Sequence, residues 1–123
     1  MSDINAILTK ATIQKVSVEI SNDIGDSFEL KADCRAKILP PKEKDNTLLV
    51  NLEIQLLTPD EKWIDIFMAG DVIFSFDYQP EEDDKEVGKA IINLALALFF
   101  EKVDNTLEEM GHSRLGLKEN FKV

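Results

Sequence analysis

The segment 90–100, AIINLALALFF, constrains the fold most strongly, because Asn93 is its only polar residue. It lies within a helical pattern from about Asp84 to Met110, with Gly111 as the expected C-terminal cap. A helix on one sheet needs a single apolar stripe, but here apolar residues surround nearly the whole circumference. One face would cover a sheet. The other then needs a second partner, and the simplest one is another copy of the chain.

The apolar residues of this helix fall on two faces. The first face has Ile91, Leu94, Leu98 and Phe99, and the second has Ile92, Leu96, Phe100 and Val103. With Val16 and Val18, the second face is the candidate interface of a homodimer or homotetramer. The alternative is a helix enclosed in the single oversized core of a monomer. The run is far shorter than the roughly 20 apolar residues that span a bilayer, so membrane insertion is not expected.

Composition excludes several classes of partner. The 123 residues carry a net charge of −10, which argues against nucleic acid and anionic membranes because phosphate binding needs clustered basic residues. The length predicts one domain, residues 1–123. Cys34 is the only cysteine, so neither an internal disulfide nor a cysteine-based metal cluster is expected. The first ten residues lack the pattern of a signal peptide, and we expect a cytoplasmic protein.

Four segments before the helix alternate between apolar and polar residues, which predicts an antiparallel sheet with one wet face. They span residues 12–21, 28–38, 48–56 and 63–78. The third is expected to point Leu48, Val50, Leu52, Ile54 and Leu56 inward. Residues 1–10 are ambiguous, since Ile4, Ile7 and Leu8 have helical spacing. Gly70 and Asp71 interrupt the fourth segment and predict a bulge or bend there. The expected fold is α+β: four antiparallel strands, one long helix packed on them and a short extended tail.

No pattern of catalytic residues or ligands is evident. The sequence has one histidine, His112, and lacks nucleophile, phosphate-loop and zinc motifs. The acidic run 81–86 fits the positive end of the helix dipole better than a metal site. Cys34 is expected to be a buried, inert thiol. We therefore expect no catalytic residue, cofactor or metal, and a small-ligand or enzymatic role has no positive support.

The fourth strand carries an unusual cluster of aromatic residues. With Cys34, its members are the candidate polypeptide-binding residues: Trp63, Phe67, Phe74, Phe76 and Tyr78. Each one alone is more readily explained as core. As a group they predict a groove that binds extended apolar peptide.

The order of these elements resembles the SecB family of protein-export chaperones. Three stretches carry the resemblance: TIQKVSVEIS in the first strand, AGDVIFSF in the fourth, and ALALFFEKVDNTLEEMGHSRLGL at the end of the helix. The second stretch places Gly70, Ile73, Phe74 and Ser75 on the family pattern. The third places Gly111 before a Leu-x-Leu pair, Leu115 and Leu117.

The resemblance implies a homotetramer with the long helices at an interface, and ATP-independent binding of unfolded polypeptide in hydrophobic grooves. It implies reshaping of any groove at Ala32, Cys34 and Ala36, where typical members have larger aliphatics. Typical members also continue beyond the position of Val123 into a second helix and an acidic tail. Of the family positions that present acidic residues to the SecA motor, here Ile20, Ile24, Asp65 and Phe67, only Asp65 is acidic.

Two hypotheses follow. The leading one is a holdase for non-native polypeptides, with or without delivery to SecA for export. The other is an interaction or assembly module, or a chaperone for a single client of the kind found in toxin–antitoxin systems.

Overall fold

The computed structural model describes residues 6–21, 29–39, 46–59, 64–78 and 84–121. Its elements are β1 (Ala6–Ile20), β2 (Lys31–Leu39), β3 (Thr47–Leu57), β4 (Ile64–Phe76), α1 (Lys85–Glu109) and α2 (Leu117–Asn120). The four strands form one sheet in the order β1-β4-β3-β2, and every neighbouring pair is antiparallel. The predicted α+β architecture is confirmed.

The core lies between α1 and the two central strands. Every second residue of β3 and β4 faces the helix and is buried, which confirms the inward face predicted for the third strand. The helix meets them with Val87, Ile91, Ala95, Phe99, Phe100, Val103 and Leu107. Burial of each large apolar side chain stabilises the fold by about 1.5–3 kcal/mol, so this layer dominates the packing energy.

The predicted bulge at Gly70 is wrong, because the irregularity lies on the neighbouring strand. β4 pairs with β3 in an unbroken register through Gly70. β1 instead shifts register twice against β4, between Leu8 and Lys10 and between Ile13 and Lys15. β1 also begins at Ala6, inside the stretch that the sequence left ambiguous.

Both ends of α1 are capped, and the cap predicted at Gly111 is confirmed. The Asp84 carboxylate accepts hydrogen bonds from the backbone N–H groups of Glu86 and Val87, at 3.0 and 3.3 Å. At the other end, Gly111 has φ +91° and its N–H bonds to the Glu108 carbonyl. The N–H of His112 reaches back to the Leu107 carbonyl at 2.8 Å, which completes a Schellman motif.

The residues after Gly111 fold back against α1. Leu117 is fully buried, and the Phe121 ring stacks on Phe100 with 5.5 Å between centroids. Asp104 of α1 accepts hydrogen bonds from backbone N–H groups in this segment. The chain's own tail therefore covers the second face of α1 in its C-terminal half.

Candidate functional site

One helix is too narrow to cover the helix-facing side of this sheet. Four strands span about 14 Å from first to last, whereas a helix is about 10 Å wide. Since the helix-facing residues of β3 and β4 are all buried, α1 lies over the centre of the sheet. The helix-facing side chains of the two outer strands remain accessible along both margins.

The first uncovered margin, which we call the β2 flank, consists of the helix-facing residues Ala32, Cys34, Ala36 and Ile38. Cys34 and Ala36 are exposed, and Ala32 and Ile38 are half-buried. Ile38 reaches the helix, since its Cδ1 atom would lie 3.1 Å from a β-carbon at Gly88. The β2 flank is therefore a strip of small side chains bordered by α1.

The prediction of a buried Cys34 is wrong. Alternation places its side chain on the helix side of the sheet, as expected, but the thiol is exposed because α1 does not extend over it. Partial burial and, to a smaller degree, the charge of Asp33 raise the pKa of the Cys34 thiol above its ordinary value. Cys34 is thus an accessible but weakly nucleophilic group within the β2 flank.

The second uncovered margin is the β1 flank, formed by Leu8 and Val16. Both share the helix side with β4 residues, opposite Phe74 and Met68, yet they are 47% and 45% exposed. Eight residues separate them, an even number, and the effects of the two intervening register shifts on side-chain direction cancel, so both lie on this side. The β1 flank lies on an edge strand of the sheet.

The first half of α1 adds apolar surface between these margins. Leu94 is 49% exposed, and Ile92, Leu96, Ala97 and Leu98 are half-buried. We call these five residues the α1 outer surface; Leu94 and Leu98 lie on the first face of the helix, and Ile92 and Leu96 lie on the second. The apolar character of the segment 90–100 therefore exceeds what one sheet can bury.

Two residues of the predicted oligomer interface are not accessible to a partner. Phe100 and Val103 are buried within the single chain, so their assignment to an exposed second face is corrected. Val103 belongs to the core cluster, and Phe100 is stacked beneath the tail at Phe121. Ile92, Leu96 and Val18 are half-buried and Val16 is exposed, so these four remain available to a partner.

The aromatic candidates do not form one cluster. Phe74 and Phe76 are core residues on the helix side of β4, so they cannot line an open groove. Phe67 is half-buried on the opposite face of the sheet, where Lys15 Nζ lies 5.4 Å from its ring centroid. Tyr78 is exposed after the end of β4, with its ring 5.7 Å from that of Phe76. Trp63 lies outside the described residues.

The face of the sheet away from α1 is mainly polar. Asp71 accepts hydrogen bonds from Asn51 and Gln14, at 2.8 and 2.9 Å, and thereby links β3, β4 and β1. A shallow depression of about 430 Å³ lies there, with Phe67 at its apolar wall. Its other lining residues are Asp33, Cys34, Arg35, Glu53, Ile54 and Gln55. Charges of both signs line it, which fits a solvated surface.

The described positions aligned with the acidic residues of the family lie on both faces of the sheet. Ile20 pairs with Ile64 and faces the helix side, whereas Asp65 and Phe67 lie on the opposite face. Ile24 lies outside the described residues. The aligned positions therefore do not make one surface.

Sequence reasoning missed two parts of this arrangement. Leu8 belongs to the β1 flank, although the helical spacing of Ile4, Ile7 and Leu8 concealed the strand. Asp104 is a charged residue buried beside the core, at 2% exposure, and it fixes the tail. The sequence feature that could have identified it is a carboxylate inside an apolar stripe of the helix, next to Val103 and three residues before Leu107.

Comparison with known proteins supports the fold. No protein-family model matches the sequence, and no curated protein matches it. Among solved structures, the chain is similar to a SecB-like chaperone of Mycobacterium tuberculosis, solved in complex with a ChAD peptide from the HigA1 antitoxin. The TM-score is 0.62 at 9% identity, over 89% of this chain and 83% of that one.

The four-stranded antiparallel sheet followed by one long helix is thus a SecB-like fold. Neither helix in the described part of the chain is long and apolar enough to cross a membrane.

Proposed function

We propose that this protein is an ATP-independent, holdase-type chaperone that binds non-native polypeptide on apolar surface left open in an oligomer of the chain. The observation that carries the proposal is the uncovered apolar surface on both sides of α1. The SecB-like fold supports it, as does the structural neighbour, which is a chaperone bound to a peptide. We place its action in the cytoplasm.

The two flanks suit different partners. The β1 flank lies on an edge strand that also carries Val18, and it offers apolar surface to a second copy of the chain. Ile92 and Leu96 add half-buried apolar surface on α1. We assign self-association, as a dimer or tetramer, to this surface. Burying the apolar side chains of this surface against a second copy would remove the free-energy cost of exposing them to water.

The β2 flank is the proposed binding strip for polypeptide. Cys34 and Ala36 are small, exposed and on the helix side, so an extended chain can lie close to the sheet beside α1. β2 is also an edge strand, whose free backbone groups can pair with an added strand. Binding by backbone pairing and shallow apolar contacts depends little on the client's sequence.

Negative charge supports this role. A net charge of −10 keeps a protein with exposed apolar surface soluble by mutual repulsion. We do not extend the proposal to SecA, because the sheet face that carries Asp65 also carries Lys15, Arg35 and Lys37.

Suppression of aggregation tests the proposal. The intact protein is mixed with a chemically unfolded client at stoichiometric ratios, and light scattering is followed without ATP. We expect suppression by the wild type, and its loss in Ala36→Glu, which places a charge on the β2 flank. Lys37→Glu is the control, because residue 37 is the next residue on the same strand and faces the other way.

The alternative is an assembly module whose apolar surface is consumed by self-association. An oligomer that neither suppresses aggregation nor binds a dye for exposed apolar surface would favour that alternative. Equal suppression by both variants would exclude the β2 flank as the binding strip.

A further inference from the structure

A buried carboxylate holds the C-terminal segment 114–121, here called the strap, across α1. Asp104 is 2% exposed, and each of its two oxygens accepts one backbone N–H of the strap. Oδ1 accepts from Leu115 at 2.7 Å, and Oδ2 accepts from Leu117 at 3.1 Å. The carboxylate therefore recognises backbone geometry, which any polypeptide without proline at those two positions can supply.

Gly116 sets that geometry. It has φ +64° and ψ +44°, a left-handed conformation that glycine adopts readily and other residues rarely do. This conformation lets the N–H groups on either side converge on one anion, as in the backbone concavities known as nests. The arrangement selects an apolar residue, a glycine and a second apolar residue in succession.

Side chains complete the contact. Leu117 is fully buried, Leu115 is half-buried, and Phe121 stacks on Phe100 of α1. Arg114 adds ion pairs to Glu101 and Glu108, at 2.9 and 3.3 Å, but these are largely exposed and are weakened by salt. One carboxylate and a few apolar contacts thus hold eight residues near the chain end.

We infer that Asp104 and Phe100 form a receptor for apolar–glycine–apolar segments of non-native polypeptide, and that the strap is its built-in occupant. This inference rests on the proposed function and names one class of segment that the chaperone recognises. A client that presents such a segment competes with the strap. A short tether gives the strap an effective concentration near the millimolar range, so clients held at the β2 flank compete best.

The test uses the full chain and a fluorescent peptide with the sequence of residues 113–121, SRLGLKENF, which contains the strap. Leu117→Ser loosens the strap, and circular dichroism checks that the fold is retained. We expect this variant to bind the peptide at least tenfold more tightly than the wild type. We expect about tenfold weaker binding of the peptide SRLALKENF, because a left-handed alanine is unfavourable. Asp104→Asn in the Leu117→Ser chain should remove binding, since an amide offers one acceptor in place of two.

A folded Leu117→Ser chain that binds the peptide no more tightly than the wild type, or binds both peptides equally, would overturn the inference. Where Leu117→Ser unfolds the chain, Leu115→Ser replaces it, because that side chain is only half-buried.

Hydrogen exchange in the wild type gives an independent measurement. Reduced, carboxymethylated α-lactalbumin should speed exchange of the Leu115 and Leu117 amides and leave that of Ile91 unchanged. Client binding with slow exchange at both strap amides would contradict the inference and leave the proposed function intact. If the Leu117→Ser chain binds the peptide but the wild type does not suppress aggregation, the proposed function is contradicted and the inference about Asp104 and Phe100 is not.

Discussion

Gly70 of β4 packs directly against the backbone of Thr12 in β1. A β-carbon built on Gly70 would overlap the Thr12 carbonyl oxygen and touch the Ile13 α-carbon at 3.0 Å. The approach occurs next to the second register shift of β1, so the glycine on one strand accommodates the irregularity of the other.

We predict that Gly70→Ala lowers the free energy of unfolding by about 3 kcal/mol, the upper end for overpacking, because backbone cannot move aside as a side chain can. Urea denaturation measures it. Gly88→Ala is the matched control. Its new β-carbon would meet only the flexible end of the Ile38 side chain. In a helix, alanine is also about 1 kcal/mol more favourable than glycine. Equal decreases in the free energy of unfolding of both variants would contradict the close packing of Gly70 against β1.

The first register shift of β1, between Leu8 and Lys10, explains why the alternation typical of a strand was not evident at the start of β1. The helix-facing residues of β1 are Ala6, Leu8, Ala11, Ile13, Val16, Val18 and Ile20, with spacings of two and three. A spacing of three breaks the alternation typical of a strand and imitates a helix. β2 and β3 have no such shift, and their faces were read correctly from the sequence.

Alternation identifies a face, but it does not show how far another element covers that face. It placed Cys34 on the helix side of β2 and wrongly implied burial. Helical periodicity likewise placed Phe100 on a second face, but it could not show that Phe121 would cover it. Such contacts join residues far apart in sequence, so the candidate site was less predictable than the fold.

We predict that Asp104→Ala costs about 3 kcal/mol of stability, because it removes two charge-assisted hydrogen bonds and leaves two backbone N–H groups without an acceptor. Thermal unfolding at low salt and in 1 M NaCl measures the effect, which should persist in both. Arg114→Ala should lower the melting temperature less, and its effect should fade with salt, since its ion pairs are exposed. Matching salt dependence in the two variants would argue against a buried anchor at Asp104.

We predict that Cys34 in the native protein reacts fully with iodoacetamide, but more slowly than free cysteine at pH 8. The thiol is exposed, so reagent can reach it. Its raised pKa leaves less thiolate at a given pH, and the rate should climb to a plateau at higher pH than for free cysteine.

Asp33→Asn removes the neighbouring charge and should speed the reaction at pH 8. A bound unfolded client should slow it, because Cys34 lies in the β2 flank. Failure of the native thiol to react would contradict the exposure of this flank.

We predict that Val16→Glu weakens self-association without unfolding the subunit. Val16 is 45% exposed on the β1 flank, so a charge there meets water in a monomer but apolar surface in an assembly. Sedimentation velocity should show a shift toward smaller species. Met110→Glu is the control, because Met110 is similarly exposed but lies at the C-terminal end of α1. Similar shifts in both variants would point to general charge repulsion instead.

The solution mass of the wild-type protein tests the central claim most directly, namely that one chain leaves apolar surface on α1 and the β1 flank for its copies. Sedimentation equilibrium at micromolar concentration should give a dimer or tetramer of the 13.9 kDa chain. A 13.9 kDa monomer at micromolar concentration that binds no dye for apolar surface would contradict the claim.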